Sequence, residues 1–344
     1  MARVLVTGGA GYIGSHAVRA LLAGGHSVVV LDDLSAGHAE AVPEGVPLVQ
    51  ARIHDRARIA DTLESHGIDA VMHFAAWLTV SESVHKPLEY YENNVVGSLA
   101  LLNAMTEAGV KRLVFSSTCA VYGEPPTTPI PESAPTRPIN AYGETKLAIE
   151  RALGHIDRAH GLRWIALRYF NAAGAHPDGT IGEDHHPEIH VIPRAIAAAT
   201  GGAPLQVFGA DYPTPDGTCL RDYIHVCDLA DAHVAALAAL ESGARSSAYN
   251  AGTGQPQSVR QVIDTVGAVV GQPVQWTAAP RRPGDPATLF AASDRLQREL
   301  GWTPRFPSLN QIVQHAWHWH RTHPQGYRTT AVTSETRPPS RTSS

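Results

Sequence analysis

"VLVTGGAGYIGSH", residues 4–16, joins a short apolar run to a glycine-rich turn and the start of a helical segment. Its glycines fit both Gly-x-x-Gly-x-x-Gly (Gly8, Gly11, Gly14) and Gly-x-Gly-x-x-Gly (Gly9, Gly11, Gly14). Glycines let the backbone approach a pyrophosphate closely, and the following helix N-terminus offers free N–H groups and a positive dipole to the anion. A purely structural turn is the alternative, but the strand before it and the helix after it favour a dinucleotide site.

The second apolar run, "HSVVVLDD", ends with an acidic residue that bears on the choice of dinucleotide. Asp32 lies 18 residues after Gly14. A carboxylate at this place accepts hydrogen bonds from both ribose hydroxyls of NAD and repels the extra phosphate of NADP. The sequence therefore predicts NAD as the cofactor.

The first half of the chain alternates strand-like and helical segments. The strand-like runs are "ARVLVTG", "HSVVVLDD", "PLVQARI", "DAVMHFAA", "KRLVFSSTCAVYG" and "WIALRYFN". They are rich in Val and Leu without clean alternation, which is typical of strands covered on both faces. The pattern predicts an α/β fold, a Rossmann-type doubly wound parallel sheet with a smaller C-terminal α/β substrate domain. We expect an NAD-binding domain at 1–173 with contributions from about 222–252, an interleaved substrate domain at 174–328, and a disordered tail at 329–344.

Composition excludes several classes of protein. The 344 residues carry a formal charge of −5, and the pI of about 6.4 argues against a nucleic-acid binder. The chain has no run of 18 apolar residues, so we expect no membrane span. "MARVLVTGG" does not resemble a secretory leader. The three cysteines have no metal-site spacing, and we expect them to be reduced thiols in the cytoplasm.

A tyrosine and a lysine lie one helical turn apart in "NAYGETKLAIE", residues 140–150. Lys146 and a bound oxidised nicotinamide would both place positive charge near Tyr142, which favours the ionised phenol and lowers its pKa. A base poised near neutral pH suits proton abstraction from an alcohol. Thr118, at the end of the strand in "FSSTCAVYG", would lie where α/β sheets bind ligands and is a candidate proton relay. Tyr-x-x-x-Lys alone is more often a surface feature, but the glycine turn and Asp32 favour a catalytic pair.

Together these residues resemble the extended short-chain dehydrogenases/reductases and, within them, the UDP-galactose 4-epimerase family. The resemblance extends to about residue 327 through "ESVHKPLEYYENNVVGSL", "SSTCAVYGEP", "LRYFNAAGAH", "FGADYPTPDGTCLRDYIHVCDLADAH", "YNAGTGQPQSV", "RRPGDPA" and "HPQGY". It implies that Tyr142 takes the proton of the sugar 4-hydroxyl while a hydride passes to NAD, that Thr118 bonds this hydroxyl, and that the keto sugar then turns and is reduced on its other face. It also implies a homodimer joined through helices at 91–102 and 142–152.

The resemblance implies two sets of ligand-binding residues. The NAD set is Gly8, Gly11, Tyr12, Ile13, Gly14, Asp32, Asp33, Arg52, Ile53, Phe74, Ala75, Ala76, Asn94, Ser116, Tyr142, Lys146, Tyr169 and Phe170. The UDP-sugar set is Thr118, Tyr142, Asn171, His190, Val191, Gln206, Val207, Phe208, Arg221, Arg282, Asp285 and Leu289. In the second set the two arginines would hold the diphosphate, and Leu205–Phe208 the uracil.

Four positions depart from the family pattern. Arg52 replaces an Asp that usually contacts the adenine, and one hypothesis is that Arg52 lies against the ring instead. Asp33 stands where many relatives have Asn, and Leu78 where some have a lysine. Leu289 occupies a place where a tyrosine excludes N-acetylated sugars, so a leucine there favours their acceptance.

The nineteen histidines raise the question of a metal site. His185, His186 and His190 are close in sequence, as are His315, His318, His320 and His323, but neither group has a recognised ligand spacing. We therefore predict surface or packing roles and no metal, with His190 as a contact of the substrate diphosphate.

The sequence leaves other functions open. A nucleotide-sugar dehydratase or reductase would usually carry Asp-Glu after the strand-end Thr, whereas Cys119 and Ala120 follow Thr118 here. A catalytically inactive NAD-binding regulator is disfavoured by the retained Thr118, Tyr142 and Lys146. An epimerase for a UDP-N-acetylhexosamine, a UDP-uronate or a UDP-pentose remains an alternative.

Overall fold

The computed structural model describes residues 1–282 and 286–327. The predicted ligand Asp285 and the predicted disordered tail at 329–344 lie outside the described residues.

Thirteen strands are formed by the described residues. They are β1 Arg3–Thr7, β2 Ser27–Asp32, β3 Leu48–Gln50, β4 Ala70–His73, β5 Arg112–Thr118, β6 Arg163–Tyr169, β7 Asn171–Ala173, β8 Leu205–Phe208, β9 Leu220–His225, β10 Ser247–Ala251, β11 Pro256–Ser258, β12 Trp276–Ala279 and β13 Thr288–Leu289.

Eleven α-helices accompany them in the same part of the chain. They are α1 Tyr12–Ala23, α2 Arg56–Ser65, α3 Val80–His85, α4 Pro87–Tyr90, α5 Gly97–Glu107, α6 Ala141–His160, α7 Val191–Ala199, α8 Val226–Glu241, α9 Val259–Val270, α10 Asp294–Leu300 and α11 Leu309–Thr322. A π-helical segment, Tyr91–Val96, joins α4 to α5, and 3-10 turns lie at Ala39–Ala41 and Cys119–Tyr122.

The main sheet has seven strands, all parallel, in the order β10-β6-β5-β4-β1-β2-β3. The strand order reverses beside β1, which pairs with β2 on one side and β4 on the other. In such sheets the ligand crevice lies at the carboxyl ends of the strands at this reversal. The predicted doubly wound parallel sheet is confirmed.

Side chains of β1 divide between the two faces of the sheet. Val4 and Val6 join a buried cluster with residues of α1 and α8, whereas Leu5 joins a second cluster with residues of α2 and α5. Helices therefore cover both faces, which explains the Val- and Leu-rich strands without alternation. The free energy of burying these two apolar layers holds the strand ends in fixed positions.

The later part of the chain forms smaller sheets over its own core. β9 pairs with β7 and β13 in parallel and with β11 antiparallel, and β8 pairs with β12. Helices α7, α9 and α11 contribute Ile196, Val262 and Val313 to a separate apolar cluster. This region borders the carboxyl ends of the main sheet through β7, which follows β6 after one residue.

Helix α6, which carries Tyr142 and Lys146, has well-defined ends. The side chain of Asn140 accepts a hydrogen bond from Gly143 N at 2.9 Å and caps its first turn. Gly161 ends it with a left-handed backbone conformation, φ 68°. No helix among the described residues combines the length and apolar character needed to cross a membrane.

Candidate active site

A cavity of about 420 Å³ lies at the carboxyl ends of the main sheet. It brings together much of the predicted NAD set. Its lining includes Gly8, Gly11, Tyr12, Ile13, Gly14, Asp32, Asp33, Ile53, Phe74, Ala75, Ala76, Ser116, Tyr142, Lys146, Tyr169 and Phe170, and also Thr118, Asn171, His190 and Leu289 from the substrate set. Residues from both halves of the chain therefore share one site.

The glycine turn brings the start of α1 against the end of β1. Gly8 has a left-handed backbone, φ +72°, and a Cβ atom at Gly14 would lie 2.0 Å from the carbonyl oxygen of Gly8. A side chain at Gly14 would push the helix away from the strand, and one at Gly8 would collide with the backbone of Ala75. Gly11 precedes the first helical residue and has no side chain to cap the first turn, which leaves that turn accessible to an anion.

Asp32 ends β2 and faces the same cavity. Its carboxylate accepts hydrogen bonds from Ala10 N and Leu34 N, each at 2.9 Å. Burial raises the pKa of Asp32, and the two backbone N–H groups oppose this rise. The Asp32 carboxylate can accept hydrogen bonds from ribose hydroxyls, and the uncapped start of α1 can donate N–H groups to a pyrophosphate, so the residues present fit NAD.

The catalytic candidates converge on one wall of the cavity. Thr118 is the last residue of β5, and its hydroxyl is close enough to Tyr142 to lower the pKa of the phenol. Lys146, one turn further along α6, donates a hydrogen bond from Nζ to the carbonyl oxygen of Ser116 at 2.9 Å. Its Nζ lies 6.0 Å from the centroid of the Tyr142 ring. All three side chains are buried, so their charges are little screened by water.

Burial shifts the pKa values of both Tyr142 and Lys146 in the chain without cofactor. In the chain without cofactor, burial raises the pKa of Tyr142 well above 10.0, and the hydrogen bond from Thr118 opposes this rise. Burial also lowers the pKa of Lys146 to about 7, against the influence of Glu150. Removing the phenolate and the ammonium from water disfavours both charged forms. The predicted lowering of the Tyr142 pKa involves a bound oxidised nicotinamide as well as Lys146, and it stays a prediction for the site with its cofactor.

Three further residues of the predicted NAD set, Ser116, Tyr169 and Asn94, form hydrogen bonds beside the catalytic candidates. The hydroxyls of Ser116 and Tyr169 lie 2.9 Å apart, so strands β5 and β6 are linked at the cavity. Asn94 is fully buried and outside the cavity lining. Its side chain accepts from Trp77 N at 2.8 Å and donates to Thr145 of α6 at 3.1 Å. Asn94 therefore helps to hold α6 in position without lining the cavity.

The predicted substrate residues lie in several places. Asn171 donates to the Asp222 carbonyl oxygen at 3.0 Å and lines the cavity, as does Leu289. The Arg282 guanidinium lies 3.8 Å from the centroid of the Phe208 ring. Arg221 is close enough to Cys119 to lower its thiol pKa, although burial raises it overall to about 12. The cavity lining does not include Val191, Gln206, Val207, Phe208, Arg221 or Arg282.

Besides Leu289, three positions depart from the family pattern: Arg52, Asp33 and Leu78. Ala51 and Ile53 line the cavity, whereas the intervening Arg52 is exposed and outside the lining. Asp33 accepts from Ser35 N at 2.9 Å and lines the cavity. Leu78 also lines it while remaining 42% exposed.

Sequence reasoning missed a group of carboxylates and imidazoles beside the cavity, which we call the Glu–His cluster: Glu183, His185, Glu188 and His190. Burial alone would lower the pKa values of the two imidazoles. The carboxylates of Glu183 and Glu188 instead raise the pKa of His185 to about 9 and that of His190 to about 10. His185 also lies in edge contact with the Tyr12 ring at 6.1 Å. The pattern Glu-x-His-x-x-Glu-x-His was the available signal.

Comparison with known proteins gives consistent results. Residues 4–252 match the family model described as the NAD dependent epimerase/dehydratase family. The chain is 52% identical over 327 residues, 95% of its own length and 98% of the relative, to a UDP-glucose 4-epimerase of Halalkalibacterium halodurans.

Solved structures are similar over most of the chain. A UDP-glucose 4-epimerase from Brucella ovis in complex with NAD has a TM-score of 0.90 at 45% identity, covering 93% of this chain and 98% of the other. A UDP-glucose-4-epimerase from Stenotrophomonas maltophila with bound NAD and formylated UDP-arabinopyranose has a TM-score of 0.91 at 44% identity, covering 94% and 99%.

Proposed function

This chain belongs to the NAD dependent epimerase/dehydratase family, and from that membership we propose that it is an isomerase that inverts the fourth carbon of a UDP-hexose, interconverting UDP-glucose and UDP-galactose. The observation that carries the proposal is the convergence of Thr118, Tyr142 and Lys146 on a cavity that the glycine turn and Asp32 also line. Relatives named for this activity are about half identical over nearly the whole chain.

NAD would be held by the residues that this chain already orients. The start of α1 would bind the pyrophosphate, and the Asp32 carboxylate would accept hydrogen bonds from the ribose hydroxyls. When bound, NAD supplies a hydride acceptor and donor, so that C4 can be oxidised and reduced again with no net redox change. The family model and the NAD-bound relatives support this cofactor.

Residues of this chain would accept and return the proton of the sugar 4-hydroxyl. Tyr142 receives the proton of the sugar 4-hydroxyl at its phenolic oxygen, and Thr118 holds that hydroxyl through its own Oγ. Because burial keeps the phenol protonated in the chain without cofactor, ionisation of Tyr142 requires additional positive charge in the loaded site. Lys146 contributes part of that charge, and its bond to Ser116 fixes its position.

The UDP moiety would lie toward the later part of the chain. Arg221, Arg282 and Asn171 would bind the diphosphate, with His190 beside them, and Leu205–Phe208 would hold the uracil. The stacking of Arg282 on Phe208 and the place of Asn171 in the lining support this arrangement. Charge-assisted bonds from guanidinium groups are the strongest contacts available to a diphosphate.

Other UDP-sugars remain candidate substrates. Leu289 lines the cavity and leaves more space than a tyrosine, which favours an N-acetylated hexosamine. UDP-uronates and UDP-pentoses differ from UDP-hexoses at the sixth carbon of the sugar. The part of the cavity lining that contains Leu289 would contact this position. A dehydratase is disfavoured because Cys119 and Ala120 supply no acid–base pair after Thr118.

One experiment separates these activities. The purified protein is incubated separately with UDP-galactose, UDP-N-acetylgalactosamine, UDP-glucuronate and UDP-arabinose, without added nicotinamide, and the products are resolved by chromatography. We expect the fastest inversion with UDP-galactose. Loss of water from the sugar, or no product from any of the four, would contradict the proposal.

We extend the proposal to a cytoplasmic homodimer formed through helices at 91–102 and 142–152. Tyr91, Val96 and Leu99 are exposed on the first of these segments, and Leu88 is 84% exposed just before it. Leu99→Arg should convert a dimer to monomers in light scattering, whereas a monomeric parent protein would contradict the proposal. The three free cysteines suit a reducing compartment.

The same proposal divides the chain by function. Residues 1–173, with about 222–252, would form the NAD-binding part, and 174–328 the substrate part. The pairing of β10 with β6 and of β7 with β9 supports an interleaved division.

A further inference from the structure

We propose that the Glu–His cluster binds one divalent transition-metal ion of the zinc class, in the wall of the cavity. Two imidazoles and two carboxylates converge there, and one ligand atom from each lies within 4.8 Å of every other. Imidazole nitrogen and carboxylate oxygen are both established zinc ligands. His190 also belongs to the proposed diphosphate contacts, so the ion and the diphosphate would compete for its imidazole, but zinc binding itself is measurable without the proposed catalytic function.

The spacing of the ligand atoms fits a tetrahedral ion. With metal–ligand bonds of about 2.1 Å, the edges of the tetrahedron are about 3.4 Å long. Glu183 Oε1 lies 2.5 Å from His190 Nδ1 and 3.2 Å from His185 Nδ1. Glu188 Oε2 lies 3.7 Å from His185 Nδ1, and Glu188 Oε1 lies 3.4 Å from His190 Nδ1. Small side-chain adjustments therefore place all four atoms around one ion.

The atoms facing the centre lack ordinary hydrogen bonds. Glu183 Oε1, His185 Nδ1 and His190 Nδ1 are buried, and none of them forms a hydrogen bond of normal geometry with another described residue. The Glu183 side chain is only 4% exposed. Buried polar atoms are normally satisfied, and an ion at the centre would satisfy all three at once.

The surrounding structure holds the ligands in place. Glu188 Oε1 accepts from Ile189 N at 2.7 Å and His190 N at 2.8 Å. The carbonyl oxygen of Glu183 accepts from the Trp319 indole at 3.2 Å, which ties this segment to α11. Such outer contacts orient metal ligands in known sites. Because metal ligation requires neutral imidazole, one divalent ion would release the protons of the two imidazoles and take over their charge beside the two carboxylates.

Zinc binding to the full-length, tag-free protein tests the proposal. Equilibrium dialysis against ZnCl₂ should give one ion per chain, and His185→Ala and His190→Ala should each weaken binding by at least ~100-fold. His186→Ala is the matched control, because His186 lies in the same segment with its side chain 55% exposed and contacts Asp184 instead. It should leave zinc affinity unchanged.

A second measurement does not depend on the variants folding. Co²⁺ added to the parent protein should give the intense visible absorption of a tetrahedral site, and Zn²⁺ should displace it. The proposal is overturned if the parent protein binds no stoichiometric ion, if the cobalt spectrum is that of an octahedral hydrate, or if His186→Ala weakens binding as much as His185→Ala.

Discussion

Lys146 Nζ donates a hydrogen bond to the carbonyl oxygen of Ser116 at 2.9 Å. This contact fixes the ammonium beneath the end of β5, two residues before Thr118. Because the ammonium is buried, burial lowers the pKa of Lys146 to about 7. The lowered pKa of Lys146 has a testable consequence for the stability of the protein.

Lys146 should make the stability of the cofactor-free chain depend on pH. Between pH 7 and the ordinary lysine value of 10.5, the unfolded chain binds more protons than the folded one, so the free energy of unfolding rises with pH. In Lys146→Met, the increase in the free energy of unfolding between pH 6.5 and 9.5 should be smaller than in the parent protein by roughly 3 kcal/mol. Urea denaturation at both pH values measures it. The exposed Lys86→Met is the control, and equal slopes for the parent protein and Lys146→Met would contradict the argument.

Tyr142→Phe should remove the proposed proton acceptor and keep the ring. We expect turnover of UDP-galactose to fall by at least ~10²-fold, the usual effect of losing a general base, while NAD stays bound. Tyr249→Phe, whose hydroxyl contacts Glu299 at 2.8 Å away from the cavity, should retain activity. Unchanged turnover in Tyr142→Phe would exclude this residue from the proton transfer.

Asp32→Asn should weaken retention of NAD. The loss of charge-assisted bonds to the ribose should reduce affinity by roughly 10- to 100-fold, as measured by mass spectrometry of the supernatant after denaturation. Asp61→Asn on α2 is a suitable control and should retain NAD, because the Asp61 side chain is 64% exposed and contacts Arg58 outside the cavity lining. Recovery of NADP from the parent protein would contradict the interpretation of Asp32.

Leu289→Tyr should change sugar preference. A tyrosine on β13 would fill the part of the cavity that Leu289 lines, so we expect activity on UDP-N-acetylgalactosamine to fall more than activity on UDP-galactose. Chromatographic rates for the two substrates measure the ratio. Leu22→Tyr on the surface of α1 is the control and should leave both rates unchanged. An equal loss of activity on both substrates in Leu289→Tyr would show that Leu289 does not determine the sugar preference.

A buried ion pair should stabilise α6 behind the catalytic wall. Glu150 accepts from Arg168 at 3.0 and 2.5 Å and from the Ser117 hydroxyl at 2.6 Å. Glu150→Leu leaves the Arg168 cation buried and unpaired and should cost about 3–5 kcal/mol. Glu150→Leu with Arg168→Leu should recover part of that loss in urea denaturation. Simple additivity of the two substitutions would show that the pair is not coupled.

Local patterns in the sequence were sufficient to predict much of the fold and the cofactor site. The glycine turn, the strand ending at Asp32 and the helix carrying Tyr142 and Lys146 each depend on neighbouring residues, and the structure places them together. Phe208, Arg221 and Arg282 were assigned by resemblance alone, and the cavity lining does not include them.

Other features depend on burial, which spacing does not reveal. The upward pKa shift of Tyr142 results from its burial, whereas the sequence argument considered only the charges of Lys146 and the bound nicotinamide. The Glu–His cluster arises from an irregular segment, where periodicity predicts nothing about which side chains converge.

The position of β10 has a consequence for how this protein is made. Ser247–Ala251 completes one edge of the main sheet by pairing with β6, although some eighty residues of other structure intervene. A nascent chain that has just released β6 from the ribosome therefore carries an open, hydrogen-bonding strand edge until β10 emerges. Such edges recruit foreign strands, so a fragment that stops at residue 173 should aggregate on expression, even though it contains the glycine turn, Tyr142 and Lys146.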